Sequence, residues 1–336
     1  MKAMVIDRVR PIGEEAAPLS LVDLPVPEPT AGEIRIRVSV CGVCHTELDE
    51  IEGRTAPPQL PVVPGHEIIG RVDKLGENAN KHRLGDRVGV GWIHQGDGTP
   101  NENLESGFRA TGRDVNGGYA EFMTVPQDYA YPIPALFSDA EAAPLLCAGG
   151  VGYRALRLAN IRDGDSVGLT GFGGSAHLVL QIIRHLYPRS PVYVFSRDRN
   201  AQAFALELGA VWAGDTTDRA PTRLQAIIDT TPAWKPVLEA LANLRPGGRL
   251  VINAIRKEDT DLKLMQNLDY RDHLWQEKEI KTVANVTHFD IAEFLPIAAA
   301  IPIRPEVTVY PLVEANRALV ELKRGAVRGA KVLAIT

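Results

Sequence analysis

Between Ser166 and Tyr187 the chain passes from a short apolar run, SVGLT, through Gly171-Phe172-Gly173-Gly174-Ser175-Ala176 into a helical stretch opening at His177. The six-residue turn fits the pattern G-x-G-x-x-G/A. Alone it suits any tight strand-to-helix turn. Between a strand and a helix it also suits a dinucleotide: glycine permits the turn and the close approach of backbone, and N–H groups at the helix start face a pyrophosphate. Further apolar runs, around residues 192–195, 226–229 and 249–253, alternate with helical stretches around 201–208 and 235–244. This βαβ rhythm predicts an α/β fold with a doubly wound parallel sheet.

The first 150 residues have a different texture. Ile34-Arg35-Ile36-Arg37-Val38-Ser39-Val40 alternates with the period of two expected of a half-buried strand. Short apolar runs at 60–63, 68–72, 87–92 and 120–125 follow, divided by Gly and Pro, and predict an all-β module. The tail from Pro305 to Ile335, with VTVY, a helical stretch through Leu322 and a closing strand at Val332, is able to return to that module. A length of 336 residues agrees with two domains. With 45% apolar and 24% charged residues the composition is that of a globular chain. The net charge of −5 supplies no basic excess for a nucleic-acid partner. The first ten residues, MKAMVIDRVR, lack the apolar core of a signal peptide, and no run reaches the roughly 20 apolar residues that span a bilayer. The chain reads as a cytoplasmic protein without membrane partners.

The strand after the glycine turn ends at Val194-Phe195-Ser196-Arg197, where an NAD-binding unit carries an acidic residue against the ribose 2′-hydroxyl. Here that place holds Ser196. A small hydroxyl followed by Arg197, with Arg199 nearby, suits a 2′-phosphate through charge-assisted hydrogen bonds, which favours NADP(H) over NAD(H). Were these arginines only solvated charges, NAD would be used without an acidic clamp.

Three cysteines cannot form a disulfide framework. Cys41 and Cys44 stand in CGVCHTE, His66 and Glu67 in PGHE, and Cys147 in LLCAGG. Taken singly, such cysteines are buried small hydrophobes, a redox pair or part of a zinc site. A redox C-x-x-C sits at a helix start in a βαβ unit, whereas this one follows a strand in a β module. Two thiolates and one imidazole leave the fourth position of a zinc ion open, as catalytic zinc requires.

In the order of CGVCHTEL, PGHEIIG, LGDRVGVG, GGYAEF, LLCAGGVGYRAL, GFGGSAH, LRPGGRLV and YPLVEANRALVELKRG, nearly the whole chain resembles the zinc-dependent alcohol dehydrogenases of the medium-chain dehydrogenase/reductase superfamily. The resemblance implies a GroES-like catalytic β domain formed by residues 1–148 and 288–336. Residues 149–287 would be an inserted Rossmann domain. It further implies one catalytic zinc per subunit on Cys44, His66 and Cys147, with Glu67 as an alternative ligand, and a packing role for Cys41. Thr46 would take the alcohol proton, and His45 would approach the pyrophosphate or extend the relay. Gly171, Gly173, Gly174, Ser175, Ala176, Ser196 and Arg197 would hold the cofactor. The implied reaction is hydride transfer between NAD(P)(H) and a small-molecule alcohol or aldehyde, in a homodimer or homotetramer.

Several positions depart from the family pattern. The four closely spaced cysteines of a structural zinc are missing; His94-Gln95-Gly96-Asp97-Gly98 and Glu105 stand there instead, and read as a solvated loop. Glu47 replaces the usual Asp behind the ligating histidine, so its longer side chain must repack or act through water. Asp49 replaces a relay histidine, leaving Asp49, His45 or water as the outlet for the proton. Val151 replaces a threonine, and Thr55 replaces a bulky tryptophan; with Trp92 as a pocket wall this implies a wider pocket for longer or aromatic substrates, while Trp92 and Thr55 read equally as core packing. A zinc-free quinone or enoyl reductase on the same fold would lack the Cys44, His66, Cys147 set. A non-catalytic NADPH-binding protein would not need Thr46.

Overall fold

The computed structural model describes residues 1–13, 17–301, 303–325 and 329–335. They fall into two compact units, Met1–Cys147 with Val286–Thr336, and Ala148–Asn285.

In the first unit, β1 (Lys2–Val5) and β2 (Ser20–Asp23) form an antiparallel ribbon. The predicted alternating strand is β3 (Glu33–Val43): Ile34, Ile36 and Val38 point inward and are fully buried. Register shifts near Ile36 and Val40 break the alternation, so the strand runs on with Cys41, Gly42 and Val43 all buried. It delivers the chain to α1 (His45–Ile51). β4 (Ile68–Leu75), β5 (Arg87–Val90), the ribbon of β6 (Ile93–Gln95) and β7 (Arg109–Ala110), β8 (Phe122–Pro126) and β9 (Ala130–Pro132) follow, then the short α2 (Asp139–Ala142). The apolar run at 60–63 is not a strand: only Val62 bridges, to Ile6. Pro57, Pro58, Pro61 and Pro64 remove the donors that a ladder there would need.

The second unit opens with α3 (Ala148–Ala159). Gly149, Gly150 and Gly152 weaken its helical signal in the sequence. Packing explains one of them, since a Cβ on Gly152 would lie 2.7 Å from Val179 and 2.9 Å from Ser175 Oγ. Strands β10 (Val167–Thr170), β11 (Val192–Phe195), β12 (Trp212–Gly214), β13 (Leu224–Asp229), β14 (Leu244–Ile252) and β15 (Glu279–Thr282) alternate with α4 (Ala176–Leu186), α5 (Arg199–Glu207) and α6 (Lys235–Asn243). All pairings are parallel in the order β12-β11-β10-β13-β14-β15, the predicted doubly wound sheet. Phe195, Leu224, Ile227, Val237, Leu241 and Leu250 belong to its buried core.

The chain then returns to the first unit through α7 (His288–Ala300), β16 (Val307–Pro311), α8 (Ala315–Lys323) and β17 (Ala330–Ala334). β17 pairs antiparallel with β3, placing Val332 opposite Gly42 and Leu333 opposite Cys41. The last strand thus closes a seven-stranded sheet beside the cysteine segment.

Candidate active site

Cys44 ends the segment after β3, His66 and Glu67 precede β4, and Cys147 follows the helical turn Ala143–Leu146. One ligand atom from each of the four lies within 4.8 Å of every other. The Cys44 and Cys147 sulfurs are 3.8 Å apart and both thiols are free. A tetrahedral ion with metal–sulfur bonds near 2.3 Å requires two sulfurs about 3.8 Å apart, so the donors are already spaced for zinc. Nδ1 of His66 faces Glu47, which leaves Nε2 for a metal; Nε2 is buried and has no hydrogen-bond partner among the described residues. A soft thiolate pair with an imidazole selects zinc over hard cations.

The surroundings hold these donors in place. Glu47 Oε1 is 2.7 Å from His66 Nδ1, and its Oε2 accepts the backbone N–H of Cys44 at 2.7 Å. The longer acidic side chain therefore reaches the histidine directly, with no water between. Trp92 stands edge-on to His66 at 5.3 Å. Glu67 occupies space that any residue but glycine at position 42 would fill, because a Cβ there would come within 1.8 Å of Glu67 Oε2. Cys41 lies outside the cluster and is fully buried, its sulfur 2.8 Å from where a Cβ on Gly65 would stand.

The clustered donors shift one another's protonation. The hydrogen bond with Cys147 holds Cys44 well below the usual thiol range, while the same contact and burial push Cys147 well above it. Burial, then the Cys44 sulfur, pushes the Glu67 carboxyl up. Burial alone would keep His66 neutral, but Glu47 and Cys44 outweigh it and raise the imidazole well above its ordinary value. Glu50, one turn along α1 and unremarked in the sequence, is also fully buried, and neither of its carboxylate oxygens has a hydrogen-bond partner among the described residues.

Thr46 is buried with Oγ1 3.6 Å from Cys44 Sγ, and His45 is exposed at the start of α1. Asp49 is buried and bonded by Arg54 Nε at 2.5 Å. The segment read as a solvated loop is solvated only in part. Gln95, Asp97 and Glu105 are exposed, but His94 is 5% exposed, and burial lowers its pKa to about 4. Glu102 is fully buried, accepting from Tyr129 Oη at 2.7 Å and from the His288 N–H at 2.6 Å. A third partner, the Gly98 N–H at 3.3 Å, is local, but the other two lie 27 and 186 residues away, and the sequence does not reveal them.

In the second unit the glycine turn connects β10 to α4. Gly171 has φ +76°, a conformation that favours glycine, and a Cβ on Gly173 or Gly174 would meet no atom within 4 Å. That open backbone at a helix start is the cradle a pyrophosphate fits. The Ser175 hydroxyl is already used, donating to the Ala148 carbonyl at 3.0 Å; Ala176 is buried as the first residue of α4. Ser196 is 8% exposed and its Oγ accepts the Asp198 N–H at 3.3 Å, while Arg197 is exposed. Asp198 caps α5 through the Asn200 N–H.

A β module that receives the chain's last strand, interrupted by a doubly wound parallel-sheet unit, is the architecture of the medium-chain dehydrogenase/reductases. The family profile "Alcohol dehydrogenase GroES-like domain" matches residues 30–135. The chain is 40% identical to a probable alcohol dehydrogenase, AdhA, of Mycobacterium tuberculosis over 97% of its own length and 95% of that protein. It is 31% identical to an alcohol dehydrogenase of Moraxella sp. over 95% of its own length and 96% of the relative. The solved cinnamyl alcohol dehydrogenase of Sorghum bicolor superposes with a TM-score of 0.82 at 25% identity, covering 99% of this chain and 97% of that one. The chain belongs to the alcohol dehydrogenase family of these oxidoreductases.

Proposed function

We propose that the protein is a zinc-dependent alcohol dehydrogenase or aldehyde reductase that favours NADP(H) and carries one catalytic zinc per subunit. The observation that carries the proposal is the Cys44–Cys147 sulfur pair at 3.8 Å, with His66 and Glu67 offering ligand atoms within 4.8 Å. Cys44, His66 and Cys147 would hold the ion, with Glu67 as alternate ligand. A zinc ion held there would supply Lewis-acid polarisation of a substrate oxygen, and a nicotinamide cofactor would supply the hydride exchange.

The chain's own residues do the rest. Thr46 holds a proton-accepting hydroxyl beside Cys44, in place to receive the proton of an alcohol. Glu47 fixes the ring of His66 so that Nε2 is the ligating nitrogen. Arg54 keeps Asp49 occupied, which favours His45 or water as the proton's outlet. Gly171, Gly173, Gly174 and the α4 start receive the cofactor's phosphates; Ser196 and Arg197 favour the 2′-phosphate of NADP(H), as no carboxylate stands at residue 196 to repel it. Small-molecule alcohols or aldehydes are the substrates, and a homodimer or homotetramer in the cytoplasm is the working form that the family resemblance supports.

Cys44→Ala tests the reading. The variant is expected to lose both bound zinc and turnover; full turnover without zinc would end the zinc mechanism and favour a zinc-free reductase on the same fold.

A further inference from the structure

The strand order of the second unit reverses between β10 and β13, and the crevice outside the carboxyl ends of two such strands is where an open parallel sheet binds its ligand. Thr170 and Asp229 are the last residues of these strands and are register partners. Their side chains are joined: Thr170 Oγ1 donates to Asp229 Oδ1 at 2.5 Å. Asp229 is fully buried, and a buried carboxylate is tolerated only where a cation and hydrogen bonds compensate it. Its cation is Lys257, from the loop after β14, with a side chain only 8% exposed. The Lys257 ammonium is fully used. It bonds Asp229 Oδ2, the Thr231 carbonyl at 2.7 Å and the Ala233 carbonyl at 3.1 Å.

This junction governs one short loop. Thr231 Oγ1 donates to Asp229 Oδ1 at 2.8 Å, and Thr230 Oγ1 donates to the Thr170 carbonyl at 3.0 Å. Residues 230–233 are thereby held from the strand side by Asp229 and Thr170 and from beyond the strand by Lys257. The loop lies directly on the first glycine of the turn: a Cβ on Gly171 would be 2.9 Å from Thr230 Oγ1 and 2.9 Å from Thr231 Cγ2. If Lys257 were lost, Asp229 would be an uncompensated buried charge. It would relax by drawing in water or moving, and the loop that abuts Gly171 would move with it.

We infer that Lys257, acting through Asp229, is a positioning residue for the dinucleotide: the pair clamps residues 230–233 against Gly171 and holds the glycine turn in its binding shape. Lys257 itself need not touch the cofactor. The inference rests on reading Gly171–Ala176 as the dinucleotide turn.

The test is direct titration of NADPH and NADH into the full-length, zinc-loaded protein, read by nicotinamide fluorescence, with zinc content and Tm measured on the same samples. Lys257→Met is expected to raise Kd for the preferred cofactor about tenfold while zinc content stays at the wild-type level. Lys257→Arg, which keeps the charge, is expected to recover most of that loss. Thr231→Val removes one hydroxyl bond to Asp229 without stranding a charge, and is expected to raise Kd about threefold. A folded Lys257→Met with a lowered Tm and a Kd within twofold of wild type would overturn the inference, since a purely structural pair behaves that way. Should Lys257→Met fail to fold, Thr231→Val decides, and a Kd within twofold of wild type overturns it. If the wild-type protein binds neither NADPH nor NADH, the dinucleotide reading itself falls, and the positioning role with it.

Discussion

One carboxylate touches two of the candidate zinc ligands: Glu47 Oε1 lies 2.7 Å from Nδ1 of His66, and its Oε2 accepts the N–H of Cys44 at 2.7 Å. A single side chain thus fixes both the imidazole's orientation and the start of α1. Glu47→Gln keeps the length but replaces one accepting oxygen with a donor, so only one contact survives. Zinc affinity, measured by competition with a chromogenic chelator, is expected to fall about 10- to 100-fold. Affinity within twofold of wild type would show that the contact does not support the metal.

Gly42 is the space that Glu67 fills. Gly42→Ala would place a methyl group 1.8 Å from Glu67 Oε2 and 2.8 Å from its Cβ. Both β3 and the Glu67 side chain would have to shift, at a cost of about 1–3 kcal/mol for overpacking. Thermal unfolding is expected to show that loss together with reduced zinc content; an unchanged Tm would mean that Glu67 turns away freely.

Arg197 and Ser196 bear on the cofactor preference. Removing the guanidinium with Arg197→Ala is expected to weaken NADPH binding about tenfold, the loss of one charge-assisted contact to a phosphate, while leaving NADH binding within twofold. Equal effects on the two cofactors would assign Arg197 another role, and a wild-type preference for NADH of more than tenfold would overturn the NADP(H) reading.

Acid stability follows from the end of α1. Burial acts against the Glu52 carboxylate, but Lys323, the Ile12 N–H and Arg54 outweigh it and hold the group at about 2, below the usual carboxylate range. The folded value lies below the unfolded one. The contribution of these three contacts is therefore complete above about pH 4.5 and is lost as pH falls towards 2, about 1–2 kcal/mol after allowing for solvent screening. Glu52→Gln is expected to lower Tm at pH 7 and to flatten the Tm profile between pH 4.5 and 2. A variant profile parallel to the wild type would contradict this assignment.

Periodicity and motif spacing made much of this protein legible. The alternation from Ile34 to Val40 is β3, the strand–glycine–helix order is β10 to α4, and Val332 lies in the strand that closes on β3. Patterns fail where tertiary packing overrides local preference. α3 is hidden by three glycines, of which Gly152 is needed for close packing, and α7 by Pro296 and an apolar surface with little periodicity. The buried His94 and Glu102 look like loop polarity because two of the partners of Glu102, Tyr129 and His288, come from distant elements. The Asp229–Lys257 pair has no motif at all: 28 residues separate two ordinary charges that the sheet topology brings together. In the candidate site, the four side chains that the structure brings together are already singled out in the sequence, but the direct reach of Glu47 to His66 is not, since side-chain length leaves the choice between contact and water open.

Zinc stoichiometry measured together with turnover tests the central claim most directly. Purified protein is expected to contain one zinc per subunit, to lose aldehyde reduction with NADPH when a chelator removes it, and to regain activity on zinc addition. Two zinc ions per subunit, or turnover that survives complete removal of the metal, would contradict the account.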